Sequence, residues 1–541
     1  MPLTLAEVEE LRAESFADDM DIDMSRMALW SEDEAREYFL SGGENEPAAC
    51  APQKKFPPIA PPMKVSEPRS FADFDAVHMK PSKGDVFGLK IPFSAQMLKE
   101  SGSAWLTTAF QTFGSISIQN SVTIIDIKPF YGGGAASKAL LTVRYGLPDE
   151  EAADGPLQEK LFVKLPHPED RKREKYLNAC IYKGEGPEVA FAQRFYRRVP
   201  FKVPRTYFAD RCDETTNFII ITEALNFSNL EQHPRGVRAA LPPLQLERAH
   251  SKFHDHYLGT DPIEYYLVLM RKLGELAGWY KSDAAVAAEI NRTFPTVYHN
   301  PIMGGSSGGA STKMVTMQLD GLERFVTNLA ARLFPPDVAD PKSFASFRVQ
   351  FVHVVELADR FAAHLASDAL YFAFGHQNLN IDNAYWWRDA NGTLDAGLLD
   401  WANCAVTEVC QSLDSGLFSA GWGVLEKHKA ALLSTFADAY ENAGGPALPV
   451  AELELRLDMQ LALSLTGQLG VPSQLYKSIK ADQWPSVLSM SDDRVDGDTD
   501  AAFLMRAYLG NLIYRLTRWK RDGAYQKLCR WANVQPKPGA L

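Results

Sequence analysis

Lys164 lies inside the apolar run KLFVKLP (160–166), and Asp400 inside GLLDWANC (397–404). A lysine in such a run loses hydration unless it meets an anion, although a strand residue could also turn to solvent. Glu188 opens the helical run GPEVAFAQRFYRRV, where it could pair with Lys164 or only complement the helix dipole. The stretch FGHQNLNIDNAYW (374–386) sets Asn378, Asp382 and Asn383 between apolar segments. Asn383 and Asp400 fall in strand-loop elements that could form a hairpin, and their oxygens could converge on one hard cation such as Mg²⁺. Taken alone, Asn383 reads as a turn amide and Asp400 as a surface acid. Upstream, YGGGAASK places Gly132, Gly133, Gly134 and Ser137 between two strands. Such a turn lets backbone N–H groups approach an anion, though most glycine-rich turns are only turns. Glycine turn, strand lysine, helix acid, H-x-N-x4-N and strand acid follow in the order that phosphoryl-transfer sites require.

The elements that carry these residues read β-β-β-α-β-β: 121–130, a strand from Lys138, 160–166, a helix from Gly186-Pro187, 203–210 and 217–225. Short connections imply an antiparallel sheet with one main helix against it. A helical run, SAQMLKESGSAWLTTAFQTFG, precedes it. Beyond residue 225, long segments of 3.6-residue periodicity dominate, with short strands only around Asn378 and Asp400. The expected class is α+β: an appendage over 1–67, a sheet-rich part over 68–225, and a helical part over 226–541 with a flexible insertion near 284–315. The appendage combines an acidic helical stretch, with a capping-box pattern in SEDEAREYFL, and a Pro-rich linker, and is expected to be partly disordered. It reads either as a loose tail or as a strap for the main body or a protein partner.

The 541 residues carry a net charge of −12, which argues against nucleic acid as a partner. The chain lacks an apolar run of membrane-spanning length, and its acidic start resembles no leader. Six scattered cysteines fit a reducing compartment, so the expected location is cytoplasmic. His250, His254 and His256, the acids of SDDRVDGDTD (491–500), and Cys404 with Cys410 read as surface or structural residues rather than metal ligands.

From about Trp105 to about residue 440 the motifs quoted, together with IIITEAL and SLDSGLF, resemble the small-molecule branch of the protein-kinase-like superfamily. That branch includes aminoglycoside phosphotransferases, choline kinases and ecdysteroid-kinase-like proteins. The resemblance implies a bilobal fold with a small antiparallel-sheet N-lobe, a large helical C-lobe, and ATP in the cleft. It implies that Lys164 meets the α- and β-phosphates, that Glu223 to Leu225 form a hinge beside the adenine, and that Asn383 and Asp400 hold Mg²⁺. Asp414 would brace the catalytic loop. Where the family has H-G-D-x-x-x-x-N, this chain has Gln377 for the glycine and Asn378 for the aspartate that takes the acceptor's proton. An amide has no useful basicity. Asp382 is the nearest spare carboxylate. The family's helix acid would fall on Ala192, with Glu188 one turn earlier. Two functions remain open: an ATP- and Mg²⁺-dependent phosphotransferase acting on a hydroxyl of a small metabolite, slow or dead for want of a base at Asn378, or a pseudokinase, a nucleotide-binding or scaffold protein without phosphoryl transfer. A less favoured third use of ATP is nucleotidyl transfer.

Overall fold

A computed structural model of the chain describes residues 70–130, 136–150, 155–167, 171–176, 186–225, 261–294, 296–297, 312–418, 420–496 and 505–540. The strands are β1 (Val122–Phe130), β2 (Ser137–Tyr145), β3 (Lys160–Leu165), β4 (Thr206–Arg211), β5 (Phe218–Glu223), β6 (Thr296–Val297), β7 (Phe372–His376), β8 (Ala384–Arg388), β9 (Leu394–Leu398) and β10 (Cys404–Glu408). The principal helices are α1 (Ala95–Phe113), α2 (Gly186–Arg194), α3 (Ile263–Ser282), α4 (Pro341–Ala366), α5 (Val409–Leu417), α6 (Trp422–Asn442), α7 (Val450–Gln468) and α8 (Met505–Arg521). The chain is therefore α+β and forms two compact units. The first takes the described residues within Lys64–Ala249 together with Asn383–Cys404; the second takes those within His250–Asp382 and Ala405–Leu541. The β8–β9 hairpin thus groups with the sheet, although its place in the sequence put it in the helical part.

The first unit is built on a five-stranded sheet of order β1-β2-β3-β5-β4, antiparallel throughout. The period of two sorts its side chains. Leu141 and Val143 of β2, Leu161, Val163 and Leu165 of β3, and Ile219 and Ile221 of β5 share a core with Leu106 and Phe110 of α1. The hydroxyl of Ser94 caps α1 by accepting from the Met97 N–H at 3.2 Å, and Gly114, at φ 78°, ends it. On the opposite face Ile220 and Phe218 pack against Val189 and Ala192 of α2. Lys164, paired with Ile220, therefore faces the side covered by α2.

In the second unit α3 and α6 pack closely because two glycines one turn apart face the contact. A Cβ on Gly274 would lie 2.6 Å from the Phe436 carbonyl oxygen, and one on Gly278 would lie 2.4 Å from that of Tyr440. A separate apolar core joins Phe351 and Phe361 of α4, Leu461 and Leu465 of α7, and Leu509 and Leu512 of α8. The sequence 284–315, expected as a flexible insertion, holds a helix at Ala284–Thr293 and the start of another at Thr312. Asp283 stabilises the first by accepting from the Ala285 and Val286 N–H groups. Among the described residues no helix is long and apolar enough to cross a membrane.

This unit also buries charge. Asp414 on α5 accepts from the Arg515 guanidinium at 2.6 Å and lies 3.8 Å from that of Arg518; Arg518 donates to Asp458 of α7 at 2.9 Å. All four side chains are fully buried. Nearby, the buried Glu408 carboxylate accepts from the Cys410 N–H at 2.8 Å and lies 3.6 Å from Arg456, which also bonds Glu452 and covers the Tyr371 ring. Burial pushes the Glu408 carboxyl up to about 7, against the pull of Arg456. A folded value above the ordinary 4.5 stabilises the protein fully below that value, and this contribution is lost as the pH rises through 7. We expect the stability advantage of the parent over Glu408→Gln to shrink between pH 5 and pH 8, by on the order of 2 kcal/mol. Urea unfolding of both proteins at the two pH values measures it; a gap independent of pH would contradict the burial argument.

Candidate functional site

Lys164 is the fifth residue of β3, and its neighbours Val163 and Leu165 point into the core below. The alternation sends Lys164 to the face covered by α2, where it is 6% exposed. The helix places Glu188 in its first turn, and Lys164 Nζ donates to Glu188 Oε2 at 2.6 Å. A second carboxylate oxygen, Asp400 Oδ1, lies 3.5 Å from the same nitrogen. One ammonium between two carboxylates, with Lys164 and Glu188 nearly buried and Asp400 partly exposed, is a polarised site, and removing the lysine leaves two like charges facing each other. Ala192, the position the family comparison favoured for the acid, is instead buried against Val189 and Ile220. Glu188 therefore makes the pair from one turn earlier. Opposite Lys164 on β2 stands Lys138, half-buried, in direct register. The sequence reading passed over this second cation, although it closes the GGGAASK stretch.

Asp400 and Asn383 meet through the hairpin. In β8–β9 Ala384 pairs with Leu398, and the Leu399 N–H donates to the Asn383 carbonyl at 2.8 Å. Asn383 and Asp400 therefore flank the same open end. Asp400 has φ 57° and ψ 71°, the left-handed region that non-glycine residues avoid. Backbone held there costs on the order of 1 kcal/mol and persists only where surroundings enforce it. One enforcing contact is visible in the next residue. The Trp401 ring stacks on Phe191 of α2 at 3.8 Å and 7°, and lies parallel to Phe201 at 6.2 Å. In the sequence Trp401, with Leu398 and Leu399, marks only that Asp400 sits in apolar company; its contact with α2 has no local signal. Cys404, three residues on, is buried near the Pro187 carbonyl, and burial together with Glu188 pushes its thiol well up.

One carboxylate and one amide suit Mg²⁺, which takes few protein oxygens and keeps the rest of its shell for water and phosphate. Asp400 remains 31% exposed on its side chain, so an oxygen is accessible to such an ion. Among the described residues no cluster of three or more His, Cys, Asp or Glu could hold a metal by itself.

The remaining motif residues lie in the second unit. The His376 ring nitrogen Nδ1 accepts from the Asn378 N–H at 3.3 Å. The Asn380 amide donates to Asn378 Oδ1 at 3.3 Å, and Asn380 Oδ1 accepts from the Asp382 N–H at 3.1 Å. Asn378 is half-buried and Asp382 buried. The loop is braced from α5, but not by Asp414. Ser415 donates to the His376 carbonyl at 3.2 Å, and the Gln377 amide donates to the Ser412 hydroxyl at 3.1 Å. Asp414, expected as the brace, turns to Arg515 and Arg518 instead.

Ser137 begins β2 and is half-buried, whereas Gly132, Gly133 and Gly134 lie outside the described residues. Glu223 ends β5 with its carboxylate accepting from the Arg205 N–H at 3.1 Å, so this side chain is engaged on the neighbouring chain segment; Leu225, just beyond, is half-buried. His250, His254 and His256 also lie outside the described residues, and the run 491–500 is described only to Asp496. There Arg494 bonds Asp492. Cys404 and Cys410 are buried free thiols.

No protein-family model matches the chain, and no curated protein matches it. Solved structures do. A choline kinase from Cryptosporidium parvum Iowa II aligns over 76% of this chain and 91% of its own, with 8% identity and a TM-score of 0.36. A spectinomycin phosphotransferase in complex with ADP and spectinomycin aligns over 75% and 97%, with 10% identity and a TM-score of 0.33. A macrolide 2'-phosphotransferase type I aligns over 68% and 91%, with 14% identity and a TM-score of 0.32.

Proposed function

We propose that the chain is an ATP- and Mg²⁺-dependent phosphotransferase acting on a hydroxyl group of a small metabolite. The observation that carries this reading is the Lys164 ammonium held by Glu188 at 2.6 Å and facing Asp400 at 3.5 Å, with Asn383 at the same hairpin end. Glu188 fixes the lysine's direction, and the ammonium would meet phosphate oxygens there. Lys138 adds a second positive charge on the adjacent strand. Asn383 and Asp400 hold the magnesium ion, whose chemistry when bound is to neutralise phosphate charge. Asn378 can donate or accept a hydrogen bond with the acceptor hydroxyl, but it cannot take its proton. Phosphoryl transfer rests mainly on positioning and charge neutralisation, so such a site is slow rather than necessarily inert.

That amide favours one alternative, a pseudokinase that binds nucleotide without transfer. Both readings need nucleotide binding, and thermal unfolding with and without millimolar ATP and Mg²⁺ tests it. A ligand at 100 times its Kd stabilises by about 2.7 kcal/mol. We expect a clear upward shift in the parent, and its loss in Asp400→Asn and Lys164→Met. No shift in the parent removes both readings. Isotope-labelled ATP with a metabolite extract then separates them, since transfer of label to any acceptor rejects the pseudokinase.

A further inference from the structure

The helix α5 is buried on every side, from Val409 to Leu417. Its first N–H groups cannot turn to water and need an acceptor from the protein. Glu408 supplies one. This fully buried residue ends β10, the middle strand of a sheet of order β6-β10-β7, and its Oε2 accepts from the Cys410 N–H at 2.8 Å. Arg456 Nη1 lies 3.6 Å from its other oxygen. Burial favours the neutral acid, whereas Arg456 and the Cys410 N–H favour the carboxylate, and the balance falls at about 7. Glu408 therefore changes charge across neutrality. The charged and titratable groups around it come from four elements. Arg456 and Glu452 of α7 bond each other at 2.9 Å, and His364 of α4 meets Glu452 at 3.1 Å. Tyr371, just before β7, lies under the Arg456 guanidinium at 3.6 Å. On α5 itself the Cys410 thiol donates to the Leu453 carbonyl, and burial, then Glu408, pushes that thiol well up.

The same helix holds the loop that carries Asn378. Ser412 accepts from the Gln377 amide and Ser415 donates to the His376 carbonyl, with all of these residues buried. No slack separates the two elements, since a Cβ on Gly375 would lie 2.1 Å from Ser412 Oγ. A displacement of the first turn of α5 is thus passed to the loop. We propose that Glu408 is a positioning residue for the Asn378 loop: its carboxylate fixes the start of α5 and, through Ser412 and Ser415, the loop, and its neutral acid loosens both. The ionised form is the tighter one because an anion at a helix N-terminus adds the dipole and Arg456 attractions to the cap bond. In the phosphotransferase proposed above, on which this consequence rests, transfer quickens as the pH rises through neutrality, although the Asn378 amide has no proton to lose there.

Amide hydrogen exchange over 376–382, referenced at each pH to the unfolded chain, tests the loop without calling on activity. We expect its protection in the parent to rise about 5-fold from pH 6 to pH 8, the worth of a helix cap. Glu408→Gln keeps an oxygen for the cap but cannot ionise, so its loop should stay flat at the lower level. Glu408→Asp should recover part of the rise. His364 and His376 are common to these proteins, so the difference belongs to position 408. Ser412→Ala/Ser415→Ala cuts the link without touching Glu408; it should flatten the response, and it serves should Glu408→Gln fold poorly. Label transfer from ATP, read over the same range, should show kcat rising with pH in the parent and not in Glu408→Gln, with KM for ATP unchanged. Absence of transfer in the parent overturns the phosphotransferase reading, while a loop that still follows Glu408 supports this one. Loop protection that is flat in the parent, that rises equally in Glu408→Gln, or that survives loss of both serines overturns the proposal.

Discussion

Asn378→Asp is expected to raise phosphoryl transfer about 10²–10⁴-fold at neutral pH, the usual worth of a positioned general base. The backbone at 378 does not depend on its side chain, because its N–H is bound by His376 and the loop is tied to α5 through Ser412 and Ser415. A carboxylate at 378 can accept the same bond from the Asn380 amide that the amide oxygen accepts now. The change therefore adds basicity with little change of shape. The rate of label transfer from ATP, measured in parent and variant on the same acceptor, checks it. If the variant is no faster, the missing carboxylate is not what limits the site. If neither protein transfers label while both bind ATP, the pseudokinase reading stands.

Asp414→Ala is expected to cost about 3–5 kcal/mol of stability, the usual penalty for removing one partner of a buried ion pair. Arg515 and Arg518 are fully buried, and the alanine would leave Arg515 without its carboxylate and Arg518 with Asp458 and Asp522. Against the pull of burial, Tyr514 and then the neighbouring carboxylates hold the Arg518 guanidinium above its ordinary value, so it does not relieve the strain by losing a proton. The half-exposed pair Arg521–Asp337 provides the contrast: Asp337→Ala should cost less than about 1 kcal/mol. Denaturant unfolding of both variants measures the difference. An Asp414→Ala protein within 1 kcal/mol of the parent would show that water or rearrangement satisfies the arginines.

Local rules made much of this molecule readable. The strands of the five-stranded sheet follow from alternating apolar runs broken by turn residues, and α2 starts where Gly186-Pro187 places it. The Asn383–Asp400 hairpin followed from two short apolar runs around a polar turn. What stayed hidden depends on long-range packing. Alternation alone leaves Lys164 free to face either side, and only the position of α2 decides it. Spacing against a family pattern put the helix acid at Ala192, whereas the helix presents Glu188. Asp414 reaches Arg515, a residue 101 positions away, which no local pattern indicates. The glycine and serine content of 303–312 suggested a loose insertion over 284–315, yet the first ten residues of that range form an ordinary helix capped by Asp283.

The contact of Trp401 with Phe191 joins the chain directly after Asp400 to the same helix that carries Glu188. A tilt of α2 would drag both acids at once, so the lysine's two anionic neighbours behave as a ganged pair. Whatever pushes on that helix from outside therefore sets the charge around Lys164 in a single stroke.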